Sequence, residues 1–162
     1  MKIAIGADHA GFKLKEEVKL WLEEEGHTVF DYGASLENPG DDYPDFVVPT
    51  ARAVAMGEVE RAIVFGSSGQ GEGIAANRLK GVRALVYYGP EDPLFETHKA
   101  GVQKDLITVS REDNDSNVLA IGASFMPLPE AKEVIARWLK TPFTGEERHV
   151  RRINKLDAES SH

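Results

Sequence analysis

The 162-residue chain contains no cysteine. That excludes a disulfide framework, a thiolate nucleophile and any cysteine-bound metal. Excess positive charge is also missing. The formal net charge of -8 argues against general affinity for nucleic acid or membrane surfaces. No apolar run approaches the roughly 20 residues that a membrane helix needs. Met1 to Gly6 reads as a strand followed at once by polar residues, not as a charged-then-apolar signal. The expectation is a cytoplasmic protein. Internal repeats, low-complexity stretches and interdomain linkers are absent as well. What remains is ordinary for a soluble globular chain, with 41% hydrophobic and 28% charged residues. Its length suits one domain with a real core.

Short apolar runs alternate with amphipathic stretches. Lys2 to Gly6, Thr28 to Gly33, Ala62 to Phe65, Val82 to Tyr88 and Asn117 to Gly122 read as five strands. Helices are expected from Phe12 towards Gly26, from Pro44 to about Met56, after Ile74, from Pro127 to Leu139, and from Glu146 to Ala158. Gly89 to Asp115 is the least regular part. Within it, Glu91 to Lys99 could be helical, and Leu106 to Val109 a short strand or part of a helix. The alternation predicts an α/β fold, a three-layer, doubly wound (Rossmann-like), five-stranded parallel sheet with helices on both faces. Ligands of such folds bind beyond the C-terminal strand ends, near the switch in strand order. Asp8, His9, Gly66 to Glu72 and Asn117 to Ser124 are expected there.

The stretch Gly66-Ser-Ser-Gly-Gln-Gly-Glu-Gly-Ile-Ala-Ala-Asn-Arg78 is the most informative. It joins a strand to a helix, a layout that aims several backbone N–H groups at one anion. No Gly-Lys-Ser/Thr follows, so it is not a P-loop, and it does not follow the first strand, so it is not the dinucleotide fingerprint. A turn that merely closed a strand–helix joint would not need four glycines in eight residues. Glu72 stands among them. A carboxylate in an anion-attracting loop calls for a purpose, and proton abstraction is the obvious one.

Three other features carry two readings each. Asp8-His9 follows the first strand; Asp8 either caps the next helix beside a surface histidine or orients His9 as acid or base. Arg148, His149, Arg151 and Arg152 place cations on one helical face, either as a solvated basic surface or as an anion site. Asp41, Asp42 and Asp45 lie at a helix start, where acids favour the helix dipole. No histidine spacing supports a metal there, so no metal is expected.

Taken together, several motifs resemble the type B ribose-5-phosphate isomerases. They are Gly6-Ala-Asp-His-Ala-Gly-Phe-Lys-Leu-Lys15, Asp42-Tyr-Pro-Asp45, Gly66 to Glu72 with Ala75-Ala-Asn-Arg78, Asn114-Asp-Ser-Asn-Val-Leu119, and Thr141-Pro-Phe143 with Glu147-Arg-His-Val-Arg-Arg-Ile153. The resemblance runs through nearly the whole chain in order. It implies aldose–ketose isomerisation of a sugar phosphate through a cis-enediolate, without metal or nucleotide cofactor. Many members of the family use a cysteine at the end of the third strand. This chain has Gly66 there and resembles the branch with a loop glutamate, so the base passes to Glu72. The resemblance further implies that Ser67, Gly69, Gln70 and Gly71 supply the anion hole, that Ser68 orients the substrate, and that Asp8 binds sugar hydroxyls or assists ring opening. His9 would meet the phosphate, and Tyr43 and Asn114 would bind substrate. Arg148, His149 and Arg152 would reach the phosphate from a neighbouring subunit. Residues 1–145 would form the catalytic domain, and 146–162 a helix and tail on the partner of a homodimer, with pairing into tetramers left open.

Two departures stand out. Asp113 occupies the place where the family usually has a ring-opening histidine, and Ser124 the place of a phosphate-binding arginine. Asp113 is the candidate for the acid–base role, and His98, in a Gly89 to Glu112 segment longer than the family's usual one, is a candidate substitute. The leading expectation is isomerisation of ribose 5-phosphate and ribulose 5-phosphate. The alternatives are a tetrose or hexose phosphate isomerase, a non-catalytic sugar-phosphate-binding protein and, more weakly, a nucleotide-dependent enzyme.

Overall fold

The apolar runs and amphipathic stretches become strands and helices in the expected order. The computed structural model describes residues 1–89, 95–96, 101 and 103–158. The elements are β1 (Lys2–Ala7), α1 (Phe12–Glu24), β2 (Thr28–Asp31), α2 (Pro44–Ala55), β3 (Arg61–Gly66), α3 (Gln70–Ala76), β4 (Ala84–Tyr87), β5 (Phe95–Glu96), β6 (Gln103–Lys104), α4 (Leu106–Glu112), β7 (Val118–Gly122), α5 (Leu128–Lys140) and α6 (Glu147–Ala158). Five strands form one parallel sheet in the order β2-β1-β3-β7-β4. β5 and β6 form a separate antiparallel pair, which the sequence pattern does not announce. Leu106 to Val109 is helical, with Asp105 capping α4 by accepting the Thr108 N–H at 2.7 Å. The helix expected over Glu91 to Lys99, and His98 with it, lies largely outside the described residues.

Strands β1, β3 and β7 are buried on both faces, so they read as continuous apolar runs rather than alternating ones. One face packs Ile3, Ile5, Ile63, Phe65, Leu119 and Ile121 against α1, α4 and α5. The other packs Ala4, Ala62, Val64, Val118 and Ala120 against α2 and α3. The smaller side chains on this second face let α2 lie close to the sheet. A Cβ at Gly6 would overlap the Thr50 hydroxyl of α2.

Inside the first layer Lys15 is fully buried. Its Nζ donates to Asp31 Oδ2 at 2.9 Å and to the carbonyls of Gly33 and Ala34. A buried ammonium is tolerated when its donors are all used in this way. Burial resists ionisation of Asp31, but bonds from Lys15 and Lys19 and the Gly33 N–H outweigh it and hold the carboxyl below its ordinary range. The network pins the start of the 33–43 connection to α1, and that connection reaches the site described next.

The chain crosses from β2 over to β3 on the far side of β1, so the strand order reverses between β1 and β3. Beyond the C-terminal ends of these two strands lie Asp8, His9 and Gly66 to Glu72. Asn117 does not belong with them. It precedes Val118 and sits at the opposite end of β7, where its N–H donates to the Arg83 carbonyl at 3.0 Å. Only the far end of that segment, at Gly122 to Ser124, reaches the switch-point rim.

Candidate functional site

The site grows from a close approach of two segments over β3. Gly66 ends the strand and Glu72 lies in the first turn of α3. The Glu72 carboxylate rests directly over Gly66, so a Cβ at position 66 would overlap it. Gly69 turns the chain between them with φ of 76°, a left-handed conformation that side chains resist. Gly69 also packs against the β7 backbone at Gly122. Glu72 is 4% exposed. Burial raises its affinity for a proton; its own backbone N–H opposes the rise, and the charge on Asp8 adds to it. A carboxyl shifted upward in this way is closer to the working range of a general base.

The rest of the rim surrounds that carboxylate. Asp8 is buried, and its Oδ1 accepts the N–H groups of Ala10 at 3.0 Å and Gly11 at 3.2 Å. It therefore builds the turn ahead of α1 and is not its N-cap, which is Gly11 without a side-chain cap bond, and it still lies close enough to Glu72 to influence it. Ser68 Oγ accepts the Gln70 N–H at 3.3 Å. The Tyr43 ring packs on Gly71, where a Cβ would come within 2.8 Å of it. Ser67 and Ser124 are exposed and joined through their hydroxyls at 3.0 Å. Beside them stand the exposed rings of Tyr88 and Phe125, with centroids 6.1 Å apart. These two aromatics were not singled out by sequence, because each lies in a different strand–helix connection.

His9 has an unexpected partner. Its ring Nδ1 lies 2.6 Å from Asp41 Oδ1, and its backbone N–H donates to the same oxygen at 3.1 Å. The hydrogen bond to Asp41 raises the His9 pKa; partial burial works against it, and Asp8, Asp41 and Glu37 add to it through their charges. Asp41 thus orients the ring, not the adjacent Asp8. Asp8, His9 and Asp41 also bring three ligand-type atoms within 4.8 Å of one another. The short His9–Asp41 bond already uses two of them, which does not favour a metal ion between them.

The remaining candidates gather at the other rim. Asp113 ends α4 and Asn114 follows it, both ahead of β7. Five residues of strand, at about 3.3 Å each, separate that edge from Gly66. Lys104 donates to Asp113 at 2.8 Å and also pairs with Glu112 at 2.8 Å. Burial opposes the Lys104 charge, but these two bonds outweigh it and raise its pKa. His149 is 3% exposed, with its Nε2 at 3.7 Å from Asp113 and 3.8 Å from Glu146. Arg148 pairs with Glu146 at 2.9 Å. Arg152 is exposed and makes no ion pair among the described residues. One chain therefore brings together Asp8, His9, Tyr43, Ser67, Ser68, Gly69, Gln70, Gly71 and Glu72, and separately Asp113, Asn114, Arg148, His149 and Arg152. A cavity of about 480 Å³ also opens at this second rim, between Arg78, Lys80, Arg83, Asn114 and Leu156. Its Arg83 is taken up by Asp115 and by backbone carbonyls, so the reactive geometry lies with Glu72 and not with the cavity.

Comparison with known proteins identifies the family. The family model described as Ribose/Galactose Isomerase matches residues 3–156. The chain belongs to this family. Ribose-5-phosphate isomerase B of Escherichia coli is 37% identical over 157 residues, covering 97% of this chain and 95% of that protein. D-erythrulose-4-phosphate isomerase 2 of Mycolicibacterium smegmatis is 30% identical over 162 residues, covering 98% and 96%. The solved structure of ribose-5-phosphate isomerase B from Clostridium thermocellum superimposes with a TM-score of 0.84 at 38% identity, covering 98% of this chain and 96% of that one. Family membership makes the protein a sugar-phosphate isomerase of the aldose–ketose class. Among the described residues no helix is long and apolar enough to cross a membrane.

Proposed function

We propose that the protein interconverts ribose 5-phosphate and ribulose 5-phosphate through a cis-enediolate, with Glu72 as the base. The observation that carries this reading is the Glu72 carboxylate, buried over Gly66 and shifted towards a higher pKa. Glu72 removes the C2 proton of the open-chain aldose, and the C1 carbonyl becomes an enediolate oxygen. The proton returns at C1, one hydroxyl proton moves from O2 to O1, and the ketose results. The N–H groups of the 67–71 turn face the developing oxyanion; one such donor is worth about 3–4 kcal/mol to a transition state. Ser68 orients the substrate, Asp8 and Tyr43 flank the sugar, and His9 meets the phosphate.

Arg148, Arg152, Asp113 and Asn114 act in this reading from a second copy of the chain, because their own rim faces away from Glu72. The working unit is then a homodimer in which α6 packs on the partner. The Ser67–Ser124 hydroxyl pair favours a second substrate reading. It puts a short uncharged pair where the family usually has arginine, and so suits a four-carbon phosphate.

The test is exchange of C1 and C2 protons with solvent over tetrose, pentose and hexose phosphates, followed by NMR. Pentose phosphate is expected to exchange fastest, and Glu72→Gln to slow exchange by about a thousandfold. Wild-type exchange in Glu72→Gln would remove Glu72 as the base. A tetrose phosphate outpacing pentose would move the substrate to the second reading. Binding of a pentose phosphate with no exchange at all would make this a binding protein.

A further inference from the structure

The connection between β2 and α2 ends in Asp41-Asp42, which as sequence looks like a pair of acids favouring a helix start. Asp41 does something else. Its Oδ1 accepts both the main-chain N–H and the ring Nδ1–H of His9, at 3.1 Å and 2.6 Å. Two bonds from one residue to one oxygen fix the backbone and the ring plane of that residue together. The Asp41 side chain is only 10% exposed, which shields the bond from water, whereas the His9 side chain is 34% exposed. With Nδ1 engaged, the remaining donor of the ring is Nε2.

The charge around His9 makes this arrangement consequential. The groups acting on it are Asp41, Asp8 and Glu37, all acidic. Without a cation this side of the rim would repel a phosphate dianion. Lys13 pairs with Glu37 at 3.6 Å but is 81% exposed; a protonated His9 is the cation here that is held in place by a shielded partner. A carboxylate placed to accept from Nδ1 favours the protonated ring over the neutral one.

We propose that Asp41 is a positioning residue which holds His9 as an imidazolium with its Nε2–H presented to the phosphate of the substrate. This rests on the sugar-phosphate reading of the site. The device makes phosphate recognition dependent on pH. Recognition is present below the His9 pKa and fades as pH rises through it, and removing Asp41 moves the fade to lower pH. Arginines from a second copy would add attraction that does not titrate, so the loss affects affinity rather than abolishing it.

Two measurements on the full chain test this. In the first, the His9 ring is titrated by NMR in wild type, Asp41→Asn and Asp41→Ser, without and with inorganic phosphate. Asparagine still accepts the His9 main-chain N–H, which preserves the turn; serine is the second variant in case it does not. Both variants are expected to titrate at lower pH than wild type. Phosphate is expected to raise the wild-type titration point more than theirs. In the second, KM and kcat for ribose 5-phosphate are followed against pH. In Asp41→Asn, KM is expected to rise about tenfold between the variant's and the wild type's His9 titration points and to converge with wild type above both, with kcat within about twofold of wild type. An unchanged His9 titration in folded variants, or a fall in kcat with KM unaltered, overturns the proposal. If no sugar phosphate is turned over but phosphate still moves the His9 titration in an Asp41-dependent way, the isomerase reading fails and this proposal stands. If phosphate leaves His9 unmoved in wild type, this proposal fails by itself.

Discussion

The two rims of the sheet use similar residue types to opposite ends. At the N-terminal rim charges are matched. Arg83 and Arg111 share the Asp115 carboxylate at 2.9 Å each, and Arg111 also donates to the carbonyls of Thr141 and Ser116. Asp115 is held there with φ of 47°, a conformation uncommon for a side-chain residue. Lys104 is likewise bracketed by Glu112 and Asp113. Such networks fix loops and leave their members little freedom to exchange protons. At the C-terminal rim Glu72 is buried with no cation beside it among the described residues, and its neighbour Asp8 bears the same charge. The difference teaches where a protein spends stability on chemistry. A buried carboxylate without a positive partner is costly to the fold, and that cost is what raises its affinity for a proton.

Gly66→Ala gives the largest effect expected from this contrast. The three atoms nearest to the new Cβ all belong to the far end of the flexible Glu72 side chain, so the protein should fold and melt like wild type. The carboxylate, however, must move off its position. A displacement of about 1 Å is enough to cost a hundredfold in kcat. Steady-state kinetics and a thermal melt on the same sample check both halves. Wild-type kcat would mean that the position of Glu72 over Gly66 does not matter.

The next effect links the rims. Arg148→Ala with Arg152→Ala should raise KM by at least about tenfold, the loss of a charge-assisted bond to phosphate. Co-expressed with Glu72→Gln, the double variant should yield mixed dimers in which one site has a complete set of residues. Turnover at low substrate should then exceed that of either parent. No gain would place every working residue within one chain.

The smallest effects concern Glu72 itself. Its pKa is raised, so kcat should fall with falling pH at values above the ordinary carboxylate range. Stability follows the opposite sense. A carboxyl whose folded-state pKa exceeds its unfolded value imposes no penalty at low pH, and a growing one as pH rises from the unfolded towards the folded value. Glu72→Gln should therefore melt at the same temperature as wild type in acid and roughly 2–4 °C higher at neutral pH. Equal melting throughout would mean that the buried carboxylate carries no strain.

Much of this protein is legible along the chain. The apolar runs at Ile3 to Ala7, Ala62 to Phe65 and Val118 to Ile121 specify strands buried on both faces, and their alternation with helices specifies the parallel sheet. The glycine turn, and the acid at Glu72 within it, are local features too, because Gly66, Gly69 and Glu72 act within one strand–helix joint. Asp41 is not legible in this way, for the opposite reason. Its role depends on a partner 32 residues away, and nothing near it in sequence distinguishes it from an acid favouring a helix dipole. The β5–β6 pair was equally silent, since two-residue strands carry no periodicity.

The sequence by itself determined the fold class, the family and the presence of a carboxylate in a glycine-lined turn. These follow from patterns that span a few neighbouring residues and survive without knowledge of the packing. Only the tertiary structure decided which side chains meet at each end of the sheet. Asp113 and Asn114 belong to the same chain as Glu72 but face the other way, because strand direction and order, not sequence spacing, set which side chains share a rim. The same packing tied His9 to Asp41 and put the Glu72 carboxylate where a β-carbon would otherwise stand.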